Sequence, residues 1–293
     1  MKKEISLVLS GGGARGIAHI GVIRVLEENG FIIKNIAGTS MGALVGGVYA
    51  AGGLDDFEKW LVEVDIKEMI KMLDFSLHLP GLIKAEKIMR KIDEFLFIKN
   101  IEDLPLPYTA IATDLNTSSE VRFTSGSLID AIRASIAIPT IITPVLNENQ
   151  ILVDGGLVNN IPLNRLPDNR YPVAAVCVNA DIALTAQEKE IMNRQTVTQY
   201  LTQLNKLKQY LKRYRLGELQ DERESIGYAE LLDKSIHLMI SRASQHLIMN
   251  HPPELLINVS RELCGTFDFL KAEKILEIGK LAARRALRTE YNV

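Results

Sequence analysis

The sequence predicts an α/β domain with helical insertions, because its first fifty residues alternate between strand and helix patterns. Residues 5–9 form a short apolar run, interrupted only by Ser6, of the kind that is buried in a parallel sheet. A glycine loop follows, and then an apolar stripe at helical spacing that ends at Asn29-Gly30. Residues 31–37 repeat the strand pattern, and residues 41–51 repeat the helix pattern. This alternation is typical of α/β proteins with a mainly parallel sheet.

The remainder of the chain is predicted to continue the same domain, because it holds neither an internal repeat nor a low-complexity linker. Further strands are predicted at residues 108–113, 121–124, 141–146, 151–153, 173–178 and 254–259, of which the third and fourth form a hairpin. Helical segments are predicted at residues 54–97, 128–134, 186–249 and 271–288. We expect a core over residues 5–167, which carries the glycine motifs, and a mostly helical C-terminal part over residues 168–293 that completes it.

Composition and charge argue against several classes of protein. A formal net charge of −2 over 293 residues provides no global basic field, so we expect no nucleic-acid partner. No stretch reaches the ~18 apolar residues of a membrane span, and the run at 5–9 is too short for a signal peptide. Cys177 and Cys264 show no metal-ligand spacing and are typical of small buried hydrophobic residues. These features predict a cytoplasmic protein.

The pentapeptide Gly38-Thr39-Ser40-Met41-Gly42 lies where the second predicted strand gives way to a helix. Only glycine tolerates the crowding two residues to either side of such a turn, so Ser40 would stand clear of the sheet edge. The N-terminus of the following helix favours negative charge that develops near the hydroxyl. The pentapeptide alone is equally typical of a plain turn with a helix-capping serine, so its chemistry depends on what lies beside it.

The loop Gly11-Gly12-Gly13 lies between the first predicted strand and its helix. Its backbone N–H groups would converge beside Ser40 if the two strands are neighbours, and such donors stabilise an oxyanion. Arg15 has three open roles: it braces the loop, meets a phosphate or forms an ion pair. Residues 11–16 also match the dinucleotide fingerprint, but no carboxylate stands near the end of the second strand to contact a ribose. We therefore disfavour a dinucleotide site.

The tripeptide Asp154-Gly155-Gly156 supplies a carboxylate at the end of a predicted strand, beside a tight turn. One hypothesis is that Asp154 contacts Ser40 directly as its base, which requires burial to raise the pKa of the carboxyl. A second is a Ser-His-Asp site that recruits His246 or His251, which follow Asp154 in the chain order of the α/β-hydrolases. A turn without chemistry is the third.

Apolar residues recur at helical spacing over residues 197–214, and basic residues flank them at Lys206, Lys208, Lys212 and Arg213. A basic amphipathic helix of this kind can lie on an anionic membrane surface. A helix packed on its own domain, with a solvated charged face, is the interpretation that we favour.

Together these motifs resemble those of the patatin-like phospholipases, particularly the compact bacterial members. The likeness covers nearly the whole chain, and it is carried by residues 7–16, 38–42, 134–139, 144–145, 153–156, 267–269 and 282–287. It implies a three-layer α/β/α fold with a mainly parallel central sheet and helical insertions. It also implies a Ser40–Asp154 dyad, an oxyanion and substrate-binding loop at Gly11, Gly12, Gly13 and Arg15, and no metal or cofactor.

The resemblance implies a serine acyl hydrolase that cleaves lipid acyl esters through an acyl-enzyme, as a lipase or phospholipase A. The family spans phospholipid, lysophospholipid and neutral acyl-ester hydrolysis, so the substrate stays open, and a peripheral contact with a membrane surface is expected. A catalytically silent lipid-binding or regulatory protein that keeps the fold is the alternative from another class. Labelling by a fluorophosphonate, lost on Ser40→Ala, separates the enzyme from the binder.

Overall fold

A central β-sheet organises the computed structural model, which describes residues 3–74, 83–147, 149–194 and 228–291. Its strands are β1 (Lys3–Leu9), β2 (Phe31–Thr39), β3 (Tyr108–Asp114), β4 (Ser119–Phe123), β5 (Val145–Leu146), β6 (Ile151–Asp154), β7 (Val173–Ala180) and β8 (Leu255–Ser260). The described residues thus contribute eight strands, in the spatial order β5-β6-β3-β2-β1-β7-β8, with β4 paired to β3.

The centre of the sheet is parallel and one side of it is antiparallel. β1 pairs in parallel with β2 on one side and with β7 on the other, and the pairs β2–β3 and β7–β8 are parallel too. β3 pairs antiparallel with β4 and β6, and β6 pairs antiparallel with β5. The carboxyl ends of β1, β2 and β7 therefore meet at one edge, which brings the segments that follow them together.

β5 is shorter than the strand predicted at residues 141–146, so the predicted hairpin is only partly correct. Ile83 and Ile142 form a parallel bridge, and the Thr143 N–H donates to the Ile83 carbonyl oxygen at 2.9 Å. Pro144 has no N–H to donate to a strand partner. Residues 141–144 are therefore held by the segment around Ile83, and only the last two residues of the predicted strand pair with β6.

Helices cover both faces of the sheet. They are α1 (Ala18–Glu28), α2 (Met41–Ala50), α3 (Leu54–Glu63), α4 (Ile66–Met72), α5 (Glu86–Asp93), α6 (Leu128–Ser135), α7 (Ala186–Asn193), α8 (Tyr228–Asn250) and α9 (Ala272–Tyr291). The predicted helical segments over residues 54–97 correspond to α3, α4 and α5 in their described parts. The predicted basic helix over residues 197–214 lies outside the described residues.

The alternation of side chains along β1 separates the two sides of the core. Leu7 and Leu9 belong to the large hydrophobic cluster that includes residues of α1, α2 and α9. Val8, between them, packs on the opposite side with Ile161 and Leu163. Apolar side chains are thus buried on both faces of the sheet, and the predicted three-layer α/β/α architecture is confirmed.

The C-terminal part of the chain contributes to the same sheet. β7 and β8 extend it beyond β1, and α9 packs against α1. The division of the domain after residue 167 stays a prediction. Among the described helices, none combines the length and the apolar character that crossing a bilayer requires.

Candidate active site

Ser40 occupies the sharp turn between β2 and α2, and its backbone is in a conformation that non-glycine residues rarely adopt. Its φ is 54° and its ψ is −124°. The turn presses α2 against β1 so closely that a Cβ added at Gly42 would lie 2.2 Å from the Leu9 carbonyl oxygen. The glycine at that position is therefore required by space, as the pentapeptide predicted.

Hydrogen bonds from two other elements hold this turn in place. The Ser40 N–H donates to the Ser135 hydroxyl at the end of α6, at 2.8 Å, and that hydroxyl donates to the Ile111 carbonyl oxygen in β3 at 2.5 Å. The Thr39 hydroxyl donates to the Asn159 carbonyl oxygen at 2.7 Å. All these groups are buried, so the contacts stabilise the strained Ser40 backbone.

Asp154 ends β6, and its carboxylate reaches the Ser40 hydroxyl directly. The Ser40 Oγ donates to Asp154 Oδ2 at 2.5 Å, and the Gly156 N–H donates to the other carboxylate oxygen at 2.7 Å. Only 7% of Asp154 is exposed. Burial raises the pKa of this carboxyl to about 6, although the hydrogen bonds from Ser40 and Gly156 act to lower it. The structure thus brings together the two residues that the sequence predicted as a pair.

Histidines with described side chains make no hydrogen bond to Ser40 or Asp154. His246 lies on the exposed side of α8, where its Nε2 is 2.8 Å from the Asn250 side-chain nitrogen. His251 follows α8 and is exposed. His19 is buried in α1, and its Nε2 is hydrogen-bonded to the Ser10 carbonyl oxygen at 2.8 Å. Across the described ranges, no three His, Cys, Asp or Glu side chains cluster to hold a metal ion.

The glycine loop follows β1 and lies against Ser40. A Cβ added at Gly11 would be 3.1 Å from the Ser40 Cβ. The sequence predicted that the N–H groups of this loop are available as donors. The Gly11 N–H is not available, because it donates to the Asn160 carbonyl oxygen at 3.0 Å. The Gly12 and Gly13 N–H groups donate to no acceptor within the described part of the chain. Gly13 adopts a positive φ of 55°, which favours glycine. Two N–H groups of the loop that begins beside Ser40 therefore have no acceptor among the described residues.

Arg15 is connected to this loop through buried hydrogen bonds. Its side chain is 5% exposed, its Nε donates to Asn179 Oδ1 at 3.0 Å, and its Nη1 donates to the Cys264 carbonyl oxygen at 2.8 Å. Of the three roles that the sequence left open for Arg15, these contacts are those of a brace. The Asn179 Nδ2 in turn donates to the Gly11 carbonyl oxygen at 2.7 Å. No sequence motif marks Asn179, which lies in another part of the chain, near the end of β7.

Comparison with known proteins identifies the family. The model of the family described as "Patatin-like phospholipase" matches residues 7–166, a span that includes the glycine loop, Ser40 and Asp154. The chain belongs to the patatin-like phospholipase family. Membership of this family supports a lipid hydrolase function for the chain.

Several relatives extend this result. An uncharacterized NTE family protein of Mycobacterium tuberculosis is 34% identical to this patatin-like chain over 97% of its length and 91% of the relative's. The neuropathy target esterase sws of Drosophila persimilis is 33% identical over 54% of this chain, which corresponds to 12% of that larger protein. The crystal structure of VipD from Legionella pneumophila matches with a TM-score of 0.50 and 15% identity, over 99% of this chain and 67% of that one. The last similarity concerns the fold alone.

Proposed function

We propose that this patatin-like protein is a serine acyl hydrolase of the lipase or phospholipase A type, with Ser40 as nucleophile and Asp154 as its base. The observation that carries the proposal is the 2.5 Å hydrogen bond from the Ser40 hydroxyl to the buried Asp154 carboxylate. A general base must lie within hydrogen-bond reach of the proton that it removes. The raised pKa of Asp154, about 6, makes the carboxylate a stronger base than an exposed aspartate while leaving it ionised at neutral pH.

The acylation step uses these two residues together with the glycine loop. The Ser40 Oγ attacks the carbonyl carbon of the ester, and Asp154 Oδ2 accepts the hydroxyl proton. The N–H groups of Gly12 and Gly13 donate to the carbonyl oxygen as it becomes an oxyanion. The tetrahedral intermediate then expels the alcohol, which takes the proton from Asp154, and an acyl group remains on Ser40.

Deacylation repeats the same steps with water as the nucleophile. Asp154 accepts a proton from a water molecule, whose oxygen attacks the acyl carbonyl carbon. The bond to the Ser40 Oγ then breaks, Ser40 recovers the proton from Asp154, and the fatty acid is released. One carboxylate thus serves as base and then as acid in each half-reaction.

The alternative triad requires a histidine between Asp154 and Ser40. Instead, the Ser40 hydroxyl contacts the Asp154 carboxylate directly, and His246 and His251 are exposed and make no hydrogen bond to either residue. The dyad is therefore favoured over the triad. The remaining alternative, a lipid-binding protein without catalysis, is separated from the enzyme by ester hydrolysis and by fluorophosphonate labelling of Ser40.

The test is hydrolysis of phosphatidylcholine, lysophosphatidylcholine and p-nitrophenyl butyrate by the purified protein. We expect Ser40→Ala and Asp154→Asn to lose activity and His246→Ala and His251→Ala to retain it. Loss of activity in a folded histidine variant would show that the site is a Ser-His-Asp triad and not a dyad. A protein that hydrolyses none of the esters, and that a fluorophosphonate does not label, would be the lipid-binding alternative.

The proposed substrate lies in a membrane or another lipid aggregate, so we propose peripheral contact with a lipid surface. The basic segment over residues 197–214, which lies outside the described residues, is the candidate for this contact, and the alternative is the helix packed on its own domain that the sequence favours. Each basic residue near an anionic surface contributes about 1 kcal/mol. Neutralising Lys206, Lys208, Lys212 and Arg213 should weaken hydrolysis of anionic vesicles, less so at high salt, and leave p-nitrophenyl butyrate hydrolysis unchanged. Equal loss on both substrates would assign the segment a purely structural role.

A further inference from the structure

We infer that Asn179 is a positioning residue of the oxyanion site, which aims the Gly12 N–H at the reacting carbonyl by holding the carbonyl of Gly11. This inference rests on the proposed function and extends it to a residue outside the span of residues 7–166 that the family model matches. Asn179 lies near the end of β7, the strand beside β1, at the same sheet edge as the glycine loop.

Rigid peptide geometry connects Asn179 to the Gly12 N–H. The Asn179 Nδ2 donates to the Gly11 carbonyl oxygen at 2.7 Å. That carbonyl and the Gly12 N–H belong to one planar peptide unit, and they point in opposite directions because the unit is trans. Fixing the carbonyl on Asn179 therefore fixes the N–H on the opposite side. That N–H donates to nothing else in the described part of the chain, so it is free to meet an oxyanion.

Arg15 determines which way the Asn179 side-chain amide faces. A guanidinium can only donate hydrogen bonds, so the Asn179 atom 3.0 Å from Arg15 Nε must be the amide oxygen. The NH₂ group must then face the Gly11 carbonyl. Arg15 is itself held by the Cys264 carbonyl oxygen, so the chain of contacts runs from the C-terminal part to the glycine loop.

The remaining contacts leave the Gly11–Gly12 peptide dependent on Asn179. The Gly11 N–H is held by the Asn160 carbonyl oxygen, and the Ala14 N–H by the Thr266 carbonyl oxygen at 2.9 Å. These bonds anchor the loop on either side of the peptide unit that bears the Gly12 N–H. Glycine has no side chain to limit rotation of that unit, so its orientation depends on the bond from Asn179.

The test is Asn179→Asp, which keeps the shape and the contact with Arg15 but replaces the donor to Gly11 with an oxygen. Losing one oxyanion donor typically costs about 10²–10³ in turnover. Because the N–H here is misdirected rather than removed, we expect kcat to fall about ten- to a hundredfold with KM changed less than twofold. The affinity for a trifluoromethyl ketone, which forms an oxyanion adduct on the serine, should fall by the same factor.

Two further readouts separate positioning from a structural effect. In the uncharged variant Asn179→Ser, the midpoint of the pH–rate profile should stay where Asp154 sets it, because Asn179 makes no hydrogen bond to that carboxylate. The matched control is Asn29→Asp. The Asn29 Nδ2 likewise donates to a backbone carbonyl oxygen, that of Val25 at 2.8 Å, but far from the site, so this variant should leave kcat and ketone affinity unchanged. The serine side chain of Asn179→Ser is too short to contact the Gly11 carbonyl oxygen, so this variant should lose kcat to the same extent. It replaces Asn179→Asp in the test if Asn179→Asp does not fold.

Unchanged kcat in a folded Asn179 variant, a rise in KM alone, or ketone affinity that does not follow kcat would overturn the inference. The Ser40→Ala variant, measured in the same assay, distinguishes this failure from failure of the proposed function. If Ser40→Ala keeps its activity, the proposed function is wrong. If Ser40→Ala is inactive while an Asn179 variant is fully active, only the role of Asn179 is wrong.

Discussion

Replacing Asp154 with Asn is expected to abolish hydrolysis and, at the same time, to stabilise the folded protein at pH 8. The variant keeps both hydrogen bonds, since its amide NH₂ can donate to the Ser40 Oγ and its oxygen can accept from Gly156. What it removes is a buried negative charge. Burial raises the pKa of Asp154 from its ordinary value of 3.8 to about 6, so folding disfavours the ionised form.

The magnitude follows from linkage between protonation and folding. Each tenfold change in the acid dissociation constant is worth about 1.4 kcal/mol, so the rise to about 6 corresponds to about 3 kcal/mol. Because the folded protein binds the proton more tightly, protonated Asp154 contributes this amount to the free energy of unfolding. The contribution is fully present below pH 3.8 and is lost as the pH rises through about 6. Asp154→Asn should therefore be up to about 3 kcal/mol more stable at pH 8 and close to wild type at pH 4.

The assay is urea unfolding of both proteins at a series of pH values between 4 and 8. Asp114→Asn is a matched control of opposite sign. Burial acts to raise the pKa of Asp114, but hydrogen bonds from Thr117, Asn116 and Ile151 outweigh it, so the pKa lies below its ordinary value. Removing that charge should destabilise the protein at pH 8. A difference between Asp154→Asn and wild type that does not change between pH 4 and pH 8 would refute the reasoning.

Three other predictions concern the same site. The double variant Ser40→Ala/Asp154→Asn should hydrolyse p-nitrophenyl butyrate little more slowly than either single variant, because residues that act as one unit are not additive; multiplied losses would contradict a shared role. The kcat/KM of wild type should fall tenfold per pH unit below about 6, as the base is protonated, and a flat profile from pH 8 to pH 5 would exclude Asp154 as that base. A Cβ at Gly12 would lie 2.3 Å from Val178 Cγ2, so Gly12→Ala should displace the loop and lower kcat while circular dichroism shows the fold retained; an increase in KM alone would indicate a ground-state binding loop.

Local patterns made much of the fold predictable. The strands before the glycine loop and before Ser40 are short apolar runs bounded by glycine, and they are β1 and β2 in the structure. The predicted strand at residues 141–146 is mostly wrong, because Ile142 pairs with Ile83, a partner that no local pattern indicates. Apolar content alone does not reveal which segment a short run will pair with.

The site residues that lie in or beside glycine motifs could be predicted. Those that contact the site from other parts of the sequence could not. Ser40 and Asp154 lie 114 residues apart, so the motifs alone left their contact as one of three hypotheses, and the family resemblance favoured it before the structure showed it. Ser135 and Asn179 escaped prediction as functional residues, because each acts through one side-chain hydrogen bond to a loop elsewhere in the chain. A single serine or asparagine in a helix or strand carries no pattern that marks such a contact.

The most direct test of the central claim is to trap the acyl-enzyme and locate it. Wild-type protein would be mixed rapidly with a p-nitrophenyl ester, quenched in acid within the first turnover, and digested for peptide mass spectrometry. We expect one acyl group on Ser40, formed with a burst of p-nitrophenol, and no acyl group in Asp154→Asn under the same conditions. An acyl group on another residue, or one that forms on Ser40 at the same rate without the Asp154 carboxylate, would contradict the proposed roles of Ser40 and Asp154.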